Sequence, residues 1–320
     1  MSLSNPDQIK KLIPLLAAKF IQRVDVIAEQ TKDGGYRPLR DRDSGASLEQ
    51  FGRPNLAQHL SGERTLGHYV LDHEDNCKLF VLDIDLTKSG FVPTIPLVIE
   101  PLEENYSDWV ASFVFVQDLR SIWHSRDRKD LPARDYIKWQ FRQIGDSLAA
   151  SIHSQLDLPT AVAYTGNKGI HVYGFTGKTQ ASVAKDAAEF VLATQKVFEP
   201  SRGDNFYADT RSEVIPVIGR EPDPAYVDRW ATRGPVDTFD PYHFHNLHIE
   251  VFPKQRSLEG KDLGNLVRLP LGRNLHAPSD PTFFVDLTQP QRTFKPIDPV
   301  YALTAPNPWK SQADQELVHV

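Results

Sequence analysis

The chain has 320 residues, of which 40% are hydrophobic and 24% are charged, a composition typical of a globular protein of one elaborated domain or two. Its formal net charge of −6 gives no general attraction to nucleic acid, so binding of that kind would depend on a local basic groove. The single cysteine, Cys77, excludes an intramolecular disulfide and a cysteine-based zinc site, and no apolar run is long enough to predict a membrane span. We therefore expect a cytoplasmic protein without zinc and without a membrane partner.

The first 58 residues are expected to form a helical segment and a linker that pack on the core. Apolar residues recur at helical spacing from Ile9 to Ile27 and predict a helix there, despite Pro14 near its start. The polar stretch 31–47 is typical of a loop or linker.

The segment 78–86, KLFVLDIDL, reads as a buried strand that carries two carboxylates. Because successive side chains of a strand point to opposite faces, Asp83 and Asp85 are expected on the same face. Two ionised carboxylates this close repel each other unless a cation or donors lie between them, and Mg²⁺ and Mn²⁺ prefer oxygen ligands. The pair favours a divalent metal that also holds a phosphorylated substrate. Two aspartates that are merely solvated at a strand end are the alternative.

Seven basic residues lie between residues 120 and 142 with tryptophans among them, and three aspartates dilute their charge. Such a cluster could follow a nucleic-acid backbone while its rings stack on bases, or it could be the solvated face of a helix. Amphipathic helices are predicted over 137–152 and 183–197.

The segment 162–175, VAYTGNKGIHVYGF, predicts two strands joined by a turn that contains two glycines. Glycines let backbone N–H groups approach an anion closely, while Thr165, Asn167 and Lys168 add donors and one positive charge. The turn therefore suits a phosphate chain, although an ordinary hairpin turn would also explain its glycines. It would not explain His171 on the strand beside it.

Two later segments each place a charged residue in an apolar strand. Residues 247–255, LHIEVFPKQ, contain Glu250, and Pro253 is expected to end that strand or to mark a sheet edge. Arg268 lies in the middle of GNLVRLPLG, where a guanidinium needs an anionic partner. That partner could be Glu250, another carboxylate in a structural ion pair, or a bound triphosphate.

Taken in order, these motifs resemble those of the archaeo-eukaryotic primase superfamily: D-x-D, then S-G-x-x-G-x-H, then an acidic residue, then a basic residue in an apolar strand. Thr165 takes the place of the usual serine, and Glu250 stands where many members have aspartate. Bacterial and mobile-element primase-polymerases, including those encoded beside CRISPR systems and in conflict-system operons, are the most similar. HLSGERTLGHYVLD (59–72) and E-x-F-P-K-Q also resemble segments of theirs.

The resemblance implies an α+β fold with an RRM-like, mostly antiparallel sheet core and flanking helices. It implies a catalytic domain over 59–300 and a C-terminal tail over 301–320. It also implies that Asp83, Asp85 and Glu250 are the catalytic residues and hold two metal ions, Mg²⁺ or Mn²⁺. The residues that it implies for nucleotide binding are Thr165, Gly166, Asn167, Lys168, Gly169, His171, Lys254 and Arg268.

The implied function is template-directed nucleotidyl transfer on single-stranded DNA, with NTPs or dNTPs as substrates. The enzyme would be a primase, a primer-extending polymerase or both. A helicase, or CRISPR or mobile-element proteins encoded nearby, would be its protein partners.

Two alternatives stay open. The first is an RRM-like module that holds single-stranded nucleic acid without catalysis. The second is a rolling-circle nicking enzyme, since His243-Phe244-His245 matches its His-hydrophobic-His element. Such an enzyme needs a tyrosine nucleophile on a helix near its metal, whereas the downstream candidate, Tyr301, lies in a Pro-rich segment without helical periodicity.

Overall fold

The computed structural model describes residues 5–41, 43–93, 113–194, 198–200, 205–208, 246–288 and 294–305. Within these ranges the chain forms six α-helices and thirteen strands, and the strands pair into antiparallel sheets. The α+β class predicted from the sequence is therefore confirmed. No helix in the described ranges combines the length and the apolar character that a membrane crossing requires.

The helices and strands are numbered here in chain order. The helices are α1 (Pro6–Phe20), α2 (Arg53–Ser61), α3 (Leu119–His124), α4 (Leu131–Leu156), α5 (Ala181–Thr194) and α6 (Pro299–Thr304). The strands are β1 (Ala28–Gln30), β2 (Tyr36–Pro38), β3 (Leu66–Tyr69), β4 (Asn76–Leu86), β5 (Gly90–Pro93), β6 (Phe113–Val116), β7 (Thr160–Tyr164), β8 (Gly169–Gln180), β9 (Phe198–Pro200), β10 (Asn205–Ala208), β11 (Leu247–Phe252), β12 (Leu266–Arg268) and β13 (Phe283–Phe284).

Three sheets are formed by these strands. Seven strands make the largest sheet, in the order β13-β7-β8-β4-β11-β10-β9. Four strands make a second sheet, in the order β12-β3-β1-β2, and β5 pairs with β6. Three of the four segments that carry the polar motifs supply β4, β8 and β11, which are neighbours at the centre of the largest sheet, whereas Arg268 lies in β12 of the second sheet.

One face of the largest sheet is covered by helices. On β4, Leu82 and Ile84 are fully buried and alternate with Asp83 and Asp85. Helix α4 packs on β7 and β8, and α5 packs on β4, β8 and β11. The α4 contact is close, because a methyl group at Gly145 would lie 2.8 Å from Ile170 Cδ1, and Ile170 is the cross-strand partner of Ile84. The aspartates consequently point away from α4 and α5.

Among the described residues, the opposite face is only partly covered. Phe20 of α1 packs edge-on against Tyr173 and Phe175 of β8, with ring centroids 5.0 and 5.4 Å apart, and against His68 of β3 at 6.2 Å. Helix α1 therefore joins the two larger sheets through one hydrophobic core. Beyond this contact, the same face of β8 and β4 carries His171 and the two aspartates.

The N-terminal helix is shorter than its apolar pattern predicts. It ends at Phe20 instead of continuing to Ile27, because Ile21 has extended backbone angles (φ −85°, ψ 102°). The Ile21 carbonyl accepts a hydrogen bond from Lys78 Nζ at 2.7 Å, and Arg23 is buried in an ion pair with Asp25. Polar contacts with other elements thus override the helical spacing.

Three further sequence predictions differ from the structure. The stretch 31–47 contains β2, and it is not simply a linker, because Tyr36 to Pro38 pair with β1 while β1 pairs with β3. The predicted domain boundary at residues 58 and 59 lies inside α2. The first residues of the predicted tail, 301–304, belong to α6, and Ala302 and Leu303 are buried there. Residues 306–320 lie outside the described ranges.

Candidate functional site

The register of the three central strands brings the polar motifs into adjacent rows. Asp83 of β4 lies opposite His171 of β8 on one side and opposite Glu250 of β11 on the other. Asp85 lies opposite Gly169 and His248 in the same way. Directly opposed residues in an antiparallel sheet share a face, so these side chains emerge together.

Asp83 is held beside a histidine that is itself anchored. Its Oδ1 lies 3.2 Å from His171 Nε2, and His171 Nδ1 lies 2.9 Å from the hydroxyl of Tyr173. Burial would raise the pKa of Asp83, but the charges of His171, Arg268 and Lys168 outweigh it, and the pKa falls below its usual value. Among the described residues the buried Oδ1 accepts no hydrogen bond of ordinary geometry, and His171 Nε2 is its nearest basic neighbour.

Asp85 has the opposite electrostatic character. Burial and the negative charge of Asp83 raise its pKa, although Lys168 Nζ lies 2.6 Å from its Oδ2. The two neighbouring carboxylates therefore differ in how readily they ionise. An added cation would relieve the repulsion that raises the pKa of Asp85.

Glu250 shares a face of the sheet with Asp83, but its carboxylate is paired with Lys254. Its Oε2 lies 2.8 Å from Lys254 Nζ, and both side chains are about one-third exposed. Neither residue lines the cleft described below. Of the three carboxylates proposed to hold metal, only the two aspartates face a common cavity.

The turn between β7 and β8 is fixed by short-range contacts. Thr165 Oγ1 donates to the carbonyl of Gly169 at 2.9 Å, and Asn167 Oδ1 accepts from Arg120 Nη2 at 3.3 Å. Gly166 has a φ of +70°, which favours glycine. A Cβ at Gly169 would collide with the Ile84 carbonyl oxygen and the Asp85 carboxylate, so glycine is required there by close approach.

Arg268 reaches the turn from the second sheet. It is the last residue of the short strand β12, and its Nη2 donates to the Thr165 carbonyl at 2.6 Å. Its Nη1 is buried without a hydrogen-bond partner, and the guanidinium makes no ion pair with a carboxylate, within the described ranges. The pairing with Glu250 that the sequence left open is therefore not observed, and a cationic group faces the cleft.

These residues surround a cleft of about 250 Å³ between the two larger sheets. Seven of the predicted site residues line it: Asp83, Asp85, Thr165, Asn167, Lys168, His171 and Arg268. Gly166 and Gly169 shape the turn without lining the cleft. Neither a protein-family model nor a curated protein matches the chain significantly.

Four polar residues that line the cleft were not predicted: Gln30, Tyr36, Asn274 and His276. Asn274 is buried and donates to the same Thr165 carbonyl as Arg268, at 3.1 Å. The His276 ring occupies the space over Gly34, whose φ is +87°. The pair Gly34-Gly35 and the polar run after Pro270 were the available signals. Their meaning depends on β1, β2 and β12 forming one sheet, which local pattern does not reveal.

The residues present suit a hard cation in part. Among the described residues Asp83 Oδ1 is buried without a hydrogen bond, and burial together with the charge of Asp83 raises the pKa of Asp85, as expected of a pair that accepts a cation. Yet no three His, Cys, Asp or Glu side chains among the described residues are arranged so that they could hold an ion. Each carboxylate instead contacts its own basic side chain, so metal binding would require Lys168 and Lys254 to exchange partners.

The nicking alternative depends on the two histidines of the His-hydrophobic-His element and on a tyrosine nucleophile. His243 and His245 lie outside the described ranges. Tyr301, predicted to lack a helix, in fact lies in α6, whose N-terminus is capped by Asp298. A third histidine, His248, follows His243 and His245 in the chain and lies in β11 opposite Asp85.

Proposed function

We propose that the cleft catalyses template-directed nucleotidyl transfer on single-stranded DNA, as a primase, a primer-extending polymerase or both. The observation that carries the proposal is the register that aligns Glu250, Asp83 and His171 across three strands, with the Arg268 guanidinium, which has no carboxylate partner in the described ranges, lining the same cleft as Asp83 and His171. Carboxylates beside basic groups suit a substrate that combines a metal ion with a triphosphate.

In this proposal the basic residues hold the incoming NTP or dNTP. Arg268 has no carboxylate in contact within the described ranges and would contact phosphate oxygens directly. Lys168 would leave Asp85 for a phosphate oxygen, and Lys254 would leave Glu250 in the same way. Tyr173 fixes the ring of His171, so that His171 Nε2 stays directed toward Asp83 and the cleft.

The acidic residues Asp83, Asp85 and Glu250 would hold two divalent ions, Mg²⁺ or Mn²⁺, once the lysines have moved. When bound, such ions lower the pKa of an attacking hydroxyl and neutralise charge on the leaving pyrophosphate. Release of Lys254 would free Glu250, whose backbone already lies opposite Asp83. A cytoplasmic location, membership of the primase superfamily and partners from helicase, CRISPR or mobile-element systems remain predictions from the sequence.

The test is incubation of the whole chain with single-stranded DNA, labelled NTPs or dNTPs, and Mn²⁺ or Mg²⁺, with and without an annealed primer. Products on unprimed template would establish priming, and products on primed template alone would establish a polymerase. EDTA should abolish both. Absence of incorporation under every condition, with the strand still bound, would overturn the proposal.

A non-catalytic single-strand-binding module is the second candidate. The ion pairs of Asp85 with Lys168 and of Glu250 with Lys254 favour it, because they neutralise the carboxylates without any metal. The same incubation separates the two, since a binding module would retain the strand and release no pyrophosphate. A tyrosine-linked DNA adduct would instead support the nicking alternative.

A further inference from the structure

A second, larger cavity lies behind the Thr165–Gly169 turn. Its volume is about 500 Å³, within the range of roughly 300 to 1,000 Å³ that is usual for small-molecule sites. We call it the aromatic cavity. The rings that line it are Trp123, Tyr164, Phe283 and Phe294, and its basic residues are Arg126, Arg134 and Lys138.

The rings are held in place by the core. Tyr164 pairs with Phe283 across β7 and β13, and its ring stacks on Phe294 with centroids 5.1 Å apart and on Trp123 at 6.2 Å. Trp123 and Tyr164 are buried, whereas Phe283 and Phe294 are partly exposed. The cavity therefore has a preformed aromatic wall that needs no ligand to assemble it.

The basic residues are not fully neutralised by the carboxylates nearby. Asp135 lies 3.4 Å from Arg134, and Asp280 lies 3.3 Å from His124. Lys138 and Arg126 make no ion pair within the described part of the chain. Lys138 Nζ instead lies 5.5 Å from the centroid of the Trp123 ring.

A bound anion would stabilise the charged form of Lys138. Burial and the positive charge of Arg134 lower the pKa of Lys138, and Asp135 and Asp280 offset this only in part. The Arg134 Nε is also buried and lacks a hydrogen-bond partner among the described residues. A phosphate would supply the missing charge and acceptors.

We propose that the aromatic cavity binds one nucleotide unit of a single DNA strand. The base would stack on the exposed parts of Phe283 and Phe294, and the phosphate would contact Lys138 and Arg126. Aromatic rings beside basic side chains are what sequence-tolerant single-strand binding requires. Asp135 and Asp280 also line the cavity and would weaken the binding of a ligand that offers negative charge alone.

The position of this cavity relates it to the cleft. Tyr164 lines the aromatic cavity, while the next residue, Thr165, lines the cleft. A Cβ at Gly166 would lie 3.0 Å from the carbonyl oxygen of Pro281, which lines the aromatic cavity. One turn therefore separates the two sites. Naming the bound strand a template rests on the proposed function, but its binding does not.

The experiment measures affinity for a fluorescein-labelled oligodeoxythymidine by anisotropy, without nucleotide or metal. Lys138→Glu is compared with Lys129→Glu, and Arg126→Glu with Arg128→Glu, since Lys129 and Arg128 are exposed and do not line the cavity. We expect each cavity variant to weaken binding by at least about fivefold and to reduce the salt slope, while each control leaves both unchanged. Arg126 is exposed, so its variant keeps the test valid if Lys138→Glu fails to fold.

Equal losses in cavity and control variants would overturn the proposal in favour of general surface charge. A strand carrying 5-iododeoxyuridine adds a direct readout, because photocrosslinks should include peptides containing Phe283 or Phe294, the two partly exposed rings. Crosslinks that map only to other peptides would also overturn the proposal. Competition by a nucleoside monophosphate but not by inorganic phosphate is expected, and equal competition would show an anion site without base recognition. Strand binding at the cavity without any synthesis would overturn only the proposed function.

Discussion

The cleft and the aromatic cavity lie on either side of one turn and hold their charges in different ways. In the cleft, Asp83 and Asp85 each contact a basic side chain, and the sheet register sets those contacts. In the aromatic cavity, Lys138 and Arg126 have no ionic partner in the described ranges, and the shape comes from rings that also belong to the core. A ligand that binds the aspartates of the cleft must displace the basic side chains that contact them. A ligand in the aromatic cavity instead gives Lys138 and Arg126 ionic partners that they lack among the described residues.

This difference predicts that substitutions in the cleft change chemistry and those in the aromatic cavity change affinity. Asp83→Asn should separate the regions most strongly. It removes the most central carboxylate of the row, and nucleotide incorporation should fall on the order of 10³-fold while strand affinity is unchanged. Asp43→Asn, at an exposed loop position, is the matched control. Wild-type turnover in Asp83→Asn would show that Asp83 takes no part in the reaction.

Arg268→Ala should have the next largest effect. The guanidinium faces the cleft without a carboxylate partner in the described ranges, so its loss should raise the KM for nucleotide by about tenfold or more. Arg273→Ala, five residues later and exposed, should leave KM unchanged. Weaker strand binding with normal KM would assign Arg268 to the path of the strand.

Gly166→Ala tests the turn that both regions share. The added methyl group would lie 2.8 Å from Thr282 Cγ2, and the alanine would have to keep the backbone φ of +70°. Gly177→Ala has the same backbone cost at φ +68° but nothing within 4 Å. We expect Gly166→Ala to lose about 1–2 kcal/mol more unfolding free energy than this control and to weaken both incorporation and strand binding. If only one activity changes, the two regions are independent.

Asp85→Asn should have the smallest effect on folding, and a stabilising one. Because burial and Asp83 raise the pKa of Asp85, the ionised group is disfavoured by folding, and wild-type stability declines as the pH rises above the ordinary carboxyl pKa of about 4. Asparagine avoids that loss. The Tm of the variant should exceed that of wild type by a few degrees at pH 7, and the difference should vanish below pH ~4.

Asp83→Asn should show the opposite pH dependence. The lowered pKa of Asp83 means that its ionised form stabilises the fold above the ordinary carboxyl pKa, and this contribution is lost as the pH falls through the folded value. The variant should therefore unfold at a lower temperature than wild type at pH 7. Equal Tm changes for both variants would show that the carboxylates do not differ electrostatically.

The sequence was most informative where a polar motif lies on a segment with clear strand periodicity. Asp83 and Asp85 alternate with buried apolar residues, and the turn after Tyr164 carries its own glycine signal, so β4, β7, β8 and β11 were located before their pairing was known. Periodicity predicts that Asp83 and Asp85 share a face, whereas only the resemblance implied that His171 belongs to the same site, and the structure places its ring 3.2 Å from Asp83. Their roles in catalysis stay predictions.

Long-range pairing set the limits of prediction. Nothing local shows that β12 joins β3, so the contact of Arg268 with the Thr165 carbonyl could not be foreseen. The same applies to Asn274 and to the end of α1, where Lys78 and Arg23 stop a pattern that is otherwise helical. In the aromatic cavity, the basic cluster and Trp123 could be located from the sequence, but the other three rings come from β7, β13 and Phe294, which lie far from that cluster in the chain.

The place of β11 in the sheet has a consequence for biogenesis. During synthesis β4 can pair with β8 as soon as residue 180 is made, but its other edge stays open until residues 247–252 follow. An open apolar edge invites pairing with a second nascent chain. The aspartates at that edge would face identical charges in such a pair, and mutual repulsion would oppose it. The two aspartates proposed to hold metal would therefore also disfavour pairing between two unfinished chains along this strand.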